Sequence, residues 1–138
     1  KGINVGIGTD GASSNNCLDM FREMFLTTGL AKLKEKDASA VDAEEVLKMA
    51  TVNGAKAMGL TDCDILAEGK KADIIMIDLH QPLNNIAKNI VYSGSKQNVK
   101  MAMIDGRILY YDGRFLCCDD VEALYAKANE IIARLSAE

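Results

Sequence analysis

A chain of 138 residues with 49% hydrophobic and 26% charged residues has ample apolar material for a packed domain, which excludes intrinsic disorder. Sixteen basic against twenty acidic residues give a net charge of -4, which excludes a nucleic-acid backbone or an anionic membrane surface as the main partner and leaves small ligands open. No apolar run reaches the roughly 20 residues of a membrane span, and the N-terminus lacks the sections of a signal peptide, so a cytoplasmic location is the default expectation.

The chain opens on Lys1-Gly2 and runs directly into Ile3-Asn4-Val5-Gly6-Ile7-Gly8, which reads as a piece of a longer protein. This apolar, β-branched run predicts a buried strand, and Thr9-Asp10-Gly11-Ala12-Ser13-Ser14-Asn15-Asn16 predicts the loop that it delivers. Leu18, Phe21, Met24 and Phe25 recur at helical spacing up to about Thr28, with Gly29 placed to end the helix. After the charged stretch Lys32 to Asp37, Asp42 is placed to cap a second helix with Glu45 reaching back, and Val46, Leu47, Ala50, Ala57 and Met58 line its face up to Gly59.

Beyond a boundary near residue 59 the texture changes. Asp62, Asp64, Gly69 and Lys70-Lys71 are loop-like, and Asp73 to Asp78 encloses a four-residue apolar strand. Val99 to Ile104 and Arg107 to Tyr111 flank Asp105-Gly106, a strong hairpin signal, and Asp112-Gly113 offers another turn. Val121, Leu124, Tyr125, Ala128, Ile131, Ile132 and Leu135 form an apolar stripe behind Asp119-Asp120, which predicts a terminal helix that docks on something. Cys17, Cys63, Cys117 and Cys118 have neither zinc-ribbon nor disulfide-framework spacing and are read as reduced thiols. The seven methionines are read as core filling.

Gly6-Ile7-Gly8-Thr9-Asp10-Gly11 satisfies G-x-G-x-x-G between a strand and a helix. A dinucleotide site needs a second parallel strand ending in an acid, whereas here another helix follows, and an Asp inside the loop opposes a pyrophosphate. Asp10 itself stands where barrel enzymes gather catalytic groups, at the C-terminal end of a strand. A turn-capping role is the alternative.

Gly8-Thr9-Asp10-Gly11-Ala12-Ser13-Ser14-Asn15-Asn16, followed by Leu18-Asp19-Met20-Phe21, resembles the eighth-strand motif of the amidohydrolase superfamily, within it the methylthioadenosine and S-adenosylhomocysteine deaminases and their chlorohydrolase and guanine deaminase relatives. Ala50 to Leu60, Glu68-Gly69-Lys70-Lys71-Ala72-Asp73-Ile74, Asn89 to Ser93 and Val99 to Asp112 continue the likeness in order. The resemblance implies an α/β fold: residues 1–59 are the last strand and helices of a (β/α)8 barrel, and residues 60–138 are the C-terminal part of a composite β-sandwich with a terminal helix.

It further implies hydrolytic deamination of a purine nucleoside with one divalent metal, zinc by expectation, and Asp10 as metal ligand and catalytic base. Such a metal lowers the pKa of bound water to roughly 7. The only histidine, His80, lies past the Ile74 to Asp78 run and is read as a surface or structural residue. A zinc site therefore cannot be assembled from this chain alone, which is expected to bind no metal, to be inactive by itself, and to self-associate through exposed strand edges. Dechlorination, cyclic-amide hydrolysis and a non-catalytic binding or assembly module are the alternatives.

Ser13, Asn15 and Asn16 are read as holding the loop in preference to touching substrate, and Lys70-Lys71 as a solvated turn in preference to an anion site. Two departures from the family pattern stand away from Asp10: Cys63-Asp64 replaces an Ile-Gly pair, and the stretch from Pro82 to Leu83-Asn84-Asn85 is shorter than usual.

Overall fold

A computed structural model describes residues 2–80 and 84–136. Pro82 and Leu83, where the shortened stretch begins, lie outside the described residues. Helix α1 (Met20–Glu35) starts where the Asp19 carboxylate accepts from the Phe21 amide at 3.0 Å. Gly29 does not end it. A glycine inside a helix costs only about 1 kcal/mol, and burial of Phe21, Met24 and Thr28 carries the helix on to a left-handed cap at Lys36, φ +52°.

The predicted second helix is two helices. In α2 (Ala43–Met49), Asp42 caps by accepting from the Ala43 amide at 2.8 Å. Glu45 does not reach back as a capping box would require; it lies 3.7 Å from Lys48 instead. The chain breaks at Ala50-Thr51, where the Thr51 hydroxyl donates to the Leu47 carbonyl, and α3 (Val52–Ala57) takes a new direction. Gly59, at φ +73°, turns the chain out of it.

Four antiparallel strands follow, β1 (Ile74–Ile77), β2 (Val99–Ile104), β3 (Arg107–Tyr111) and β4 (Arg114–Phe115), side by side in that order. Both Asp-Gly turns are as predicted. Asp105 and Gly106 (φ +49° and +76°) join β2 to β3, and Asp112 and Gly113 (φ +42° and +86°) join β3 to β4, so each pair supplies the two left-handed residues of a hairpin turn whose twist suits the strands. The first turn is also tied to β1, because the Asp105 amide donates to the Asp73 carboxylate at 2.7 Å.

Between β1 and β2 lie a single helical turn, α4 (Ile86–Lys88), a π-type turn (Asn89–Ser93) and a 3-10 turn (Lys96–Asn98). Val91 of the π-type turn enters a core shared with Phe21 and Met24 of α1 and Ala43 and Val46 of α2; Ile7, Ile77 and Val99 pack at its edge. Gly94 is required there, since a Cβ would meet the Ile90 carbonyl and stand 2.8 Å from the Phe21 ring.

Helix α5 (Val121–Leu135) forms as predicted, with Asp120 accepting from the Ala123 amide at 2.9 Å, but the expected docking is not seen: none of its residues is buried. All four cysteines are free thiols. Among the described residues no helix is long and apolar enough to cross a membrane.

Candidate active site

The segment leading to Asp10 departs from the prediction. Residues 3–8 run extended, but no strand pairs with them among the described residues, and Ile3 and Val5 are 74% and 49% exposed. A strand rich in β-branched residues buries its faces only when neighbouring strands and helices cover them. One side is held. The Ile7 amide donates to the Met49 carbonyl at 3.0 Å, Asn4 donates to the Asn53 carbonyl at 2.9 Å, and Asn53 donates back to the Val5 carbonyl at 3.0 Å. This approach favours a glycine at position 6, because a Cβ there would lie 3.3 Å from the Gly54 Cα.

The extended run ends at Asp10, whose φ of +56° is a left-handed conformation that Asp tolerates better than bulkier residues. Its carboxylate accepts from the Gly11 amide at 2.8 Å and is otherwise exposed. The Ser14 hydroxyl donates to the Gly11 carbonyl at 3.1 Å and stands beside the Asp10 carboxylate. Ser14 first and the Gly11 amide second hold the Asp10 carboxyl below the usual carboxylate range, so it is anionic at neutral pH.

The amides of Ser14 and Asn15 return to the Gly11 carbonyl and close the loop. Asn15 then fastens it to α1, donating to Glu23 at 2.6 Å and accepting from the Cys17 amide at 3.2 Å, the loop-holding role expected of it. Ser13 and Asn16 make no side-chain hydrogen bond within the described residues. Ser14 and Glu23 were not singled out in the sequence. The signal for Ser14 was its spacing behind Asp10-Gly11; Glu23 lay in a helix pattern that marks only its apolar neighbours.

His80 does not join Asp10. It sits in the turn after β1 with its ring largely exposed and Nδ1 3.4 Å from the Asp78 carboxylate. Among the described residues no three His, Cys, Asp or Glu side chains gather in a group suited to a metal. Lys70 and Lys71 are paired within their own turn, Lys70 with Asp64 at 2.7 Å and Lys71 with Asp62 at 2.9 Å, and Lys70 also donates to the Thr61 carbonyl. With both ammonium groups paired to carboxylates inside it, the segment is the turn expected there and not an anion site. A cavity of about 720 Å³ is an apolar groove bounded by Val52, Cys63, Ile65, Leu66, Ile75 and Ile104, and Asp10 is not part of it.

Residues 1–109 match the amidohydrolase family. The chain is 40% identical, over 99% of its length, to the 5'-deoxyadenosine deaminase of Methanosarcina mazei. It is 46% identical, over 80% of its length, to the 5-methylthioadenosine/S-adenosylhomocysteine deaminase of Thermococcus onnurineus. It spans 33% and 27% of these two relatives, about a third of their length or less. Among solved structures, it is similar to an adenosine deaminase from Xanthomonas campestris with bound zinc, at a TM-score of 0.92 and 35% identity over 99% of this chain and 32% of that one. It is also similar to an atrazine chlorohydrolase from Arthrobacter aurescens complexed with zinc, at a TM-score of 0.76 and 26% identity over 95% of this chain and 30% of that one.

Proposed function

This chain belongs to the amidohydrolase family, with the partial α/β fold of its members, and on that premise we propose that it is the C-terminal part of a metal-dependent aminohydrolase acting on adenosine-type compounds. The substrates are S-adenosylhomocysteine, methylthioadenosine and their 5'-deoxy relatives. In this reading residues 1–59 close the barrel and residues 60–138 contribute to the sandwich. The observation that carries it is the joint likeness, in sequence and in backbone, to proteins named for deamination of the adenosine ring. The chlorohydrolase likeness is weaker in both measures, which places dechlorination second.

Asp10 is the one residue of this chain given a catalytic and metal-binding role. An exposed carboxylate, anionic at neutral pH and fixed by the Gly11 amide, suits a divalent cation and accepts a proton from a neighbouring water. One carboxylate does not make a zinc site, and the donor set described above supplies no second or third ligand beside it. The chain alone is therefore proposed to bind no metal and to be inactive, the other ligands belonging to the rest of the enzyme. The open edge of β1 and the bare face of α5 favour self-association when it is isolated.

The test is ammonia release from S-adenosylhomocysteine, methylthioadenosine and 5'-deoxyadenosine, alongside chloride release from atrazine. It compares an upstream-extended protein, its Asp10→Ala variant and this chain alone. Activity of the extended protein on the nucleosides, lost in the other two, is expected. Release of chloride from atrazine with the nucleosides untouched moves the reading to dechlorination, and an active Asp10→Ala variant removes Asp10 from the chemistry.

A further inference from the structure

Away from Asp10, the π-type turn that seats Val91 in the core sets the next side chain, Tyr92, against the last turn of α1. There the Lys32 ammonium donates to the Tyr92 hydroxyl oxygen at 2.8 Å and lies 4.7 Å from the ring centroid. A phenol oxygen that accepts from an ammonium keeps its own proton for another acceptor. Beside it is a cavity of about 490 Å³, within the size range of small-ligand sites, lined by Lys32, Ser39, Val41, Asp42, Lys88 and Tyr92.

The charge in this cavity is unbalanced. Among the described residues neither Lys32 nor Lys88 has a carboxylate within salt-bridge distance, although four other lysines do. The one acid in the lining, Asp42, is engaged in capping α2 through the Ala43 amide. The Ser39 hydroxyl donates to Asp37 at 2.7 Å and so presents only its oxygen. Two ammonium groups and one phenolic proton against one carboxylate favour an anion. Lysine ammonium groups are rotatable point charges that suit the three oxygens and near-double charge of a tetrahedral phosphate.

We propose that this pocket binds a phosphate group, free or carried as a small phosphate monoester, through Lys32, Lys88 and the Tyr92 hydroxyl. The proposal stands independently of the deaminase reading, since no residue of the Asp10 loop takes part.

The experiment is an NMR titration of the full 138-residue chain with inorganic phosphate, glycerol phosphate and acetate at constant ionic strength. Saturable shifts at Lys32, Lys88 and Tyr92 with phosphate, and none with acetate, are expected. Tighter binding of glycerol phosphate than of inorganic phosphate identifies a monoester as the ligand, and the reverse identifies the free ion. Lys32→Met and Lys88→Met are expected to weaken binding about tenfold each and Tyr92→Phe about threefold, while Lys100→Met, whose lysine pairs with Asp112 on the sheet, leaves it unchanged. Tyr92→Phe keeps the ring packed, so its loss is read in a folded chain with an unshifted Tm. Absence of saturable phosphate binding, equal binding of acetate, or undiminished binding by both Lys88→Met and Tyr92→Phe overturns the proposal.

Discussion

Phe21, Met24, Ala43, Val46 and Val91 come from three separate elements and are each at most 8% exposed, whereas Leu124, Tyr125, Ile131, Ile132 and Leu135 of α5 repeat at the same helical spacing and are between 42% and 63% exposed. Within the first set Phe21 and Met24 of α1, and Ala43 and Val46 of α2, stand three residues apart, as neighbouring positions of the α5 stripe do. Only the first finds two facing elements within the described residues. Periodicity therefore reports that a face is built for contact, and burial depends on whether a complementary surface is present.

Substitutions that should give unequal effects in the two regions test this contrast. Phe21→Ala leaves a cavity in the shared core and is expected to cost about 4 kcal/mol, while Leu124→Ala with Ile132→Ala is expected to change stability by less than about 0.5 kcal/mol. Equal losses in chemical denaturation would break the comparison. Gly94→Ala pushes a methyl group into the Ile90 carbonyl and the Phe21 ring, and about 2 kcal/mol of destabilisation from overpacking is expected by the same measurement. The caps sharpen the contrast further. Asp42→Ala, on a packed helix, should lower global stability by about 1 kcal/mol; Asp120→Ala should reduce the helicity of α5 in circular dichroism without moving the global midpoint.

The smallest effect concerns the Asp10 loop. Its depressed pKa means that any stabilisation it provides is fully present above the unfolded carboxyl pKa of about 4. That contribution is lost only as pH falls through the lower folded value, so none is lost near neutrality. Carbon-detected NMR titration should place the Asp10 midpoint below that of an unpaired Asp, and Ser14→Ala should raise it.

Much of the site was legible because its signals are local. Asp10 was marked by its place after an apolar run and by the Gly8 to Asn16 motif, and Asn15 acts within its own loop. What escaped was the partnership across distance: Asn15 finds Glu23 on α1, and Asn4 donates to the carbonyl of Asn53, 49 positions away. The pocket between Lys32 and Lys88 was equally invisible, since 60 positions separate Lys32 from Tyr92 and nothing in either neighbourhood marks them as a pair. Gly29 and Glu45 misled because a glycine or a capping pattern states a local preference of about 1 kcal/mol, which packing along α1 outweighs for Gly29, while Glu45 lies beside Lys48 instead of the cap.

By itself the sequence determined what neighbouring residues decide between them: the two Asp-Gly hairpin turns, the two strands joined by the first, the capped start of α2 and the acidic start of α5, and the loop at Asp10. Tertiary structure alone decided which apolar faces are covered, where the 43–57 region bends, and that residues 3–8 lie extended without a sheet. The physical reason is range. Turn and cap preferences are set by backbone dihedrals and hydrogen bonds a few residues apart, whereas burial and strand pairing require a partner surface that no single segment contains.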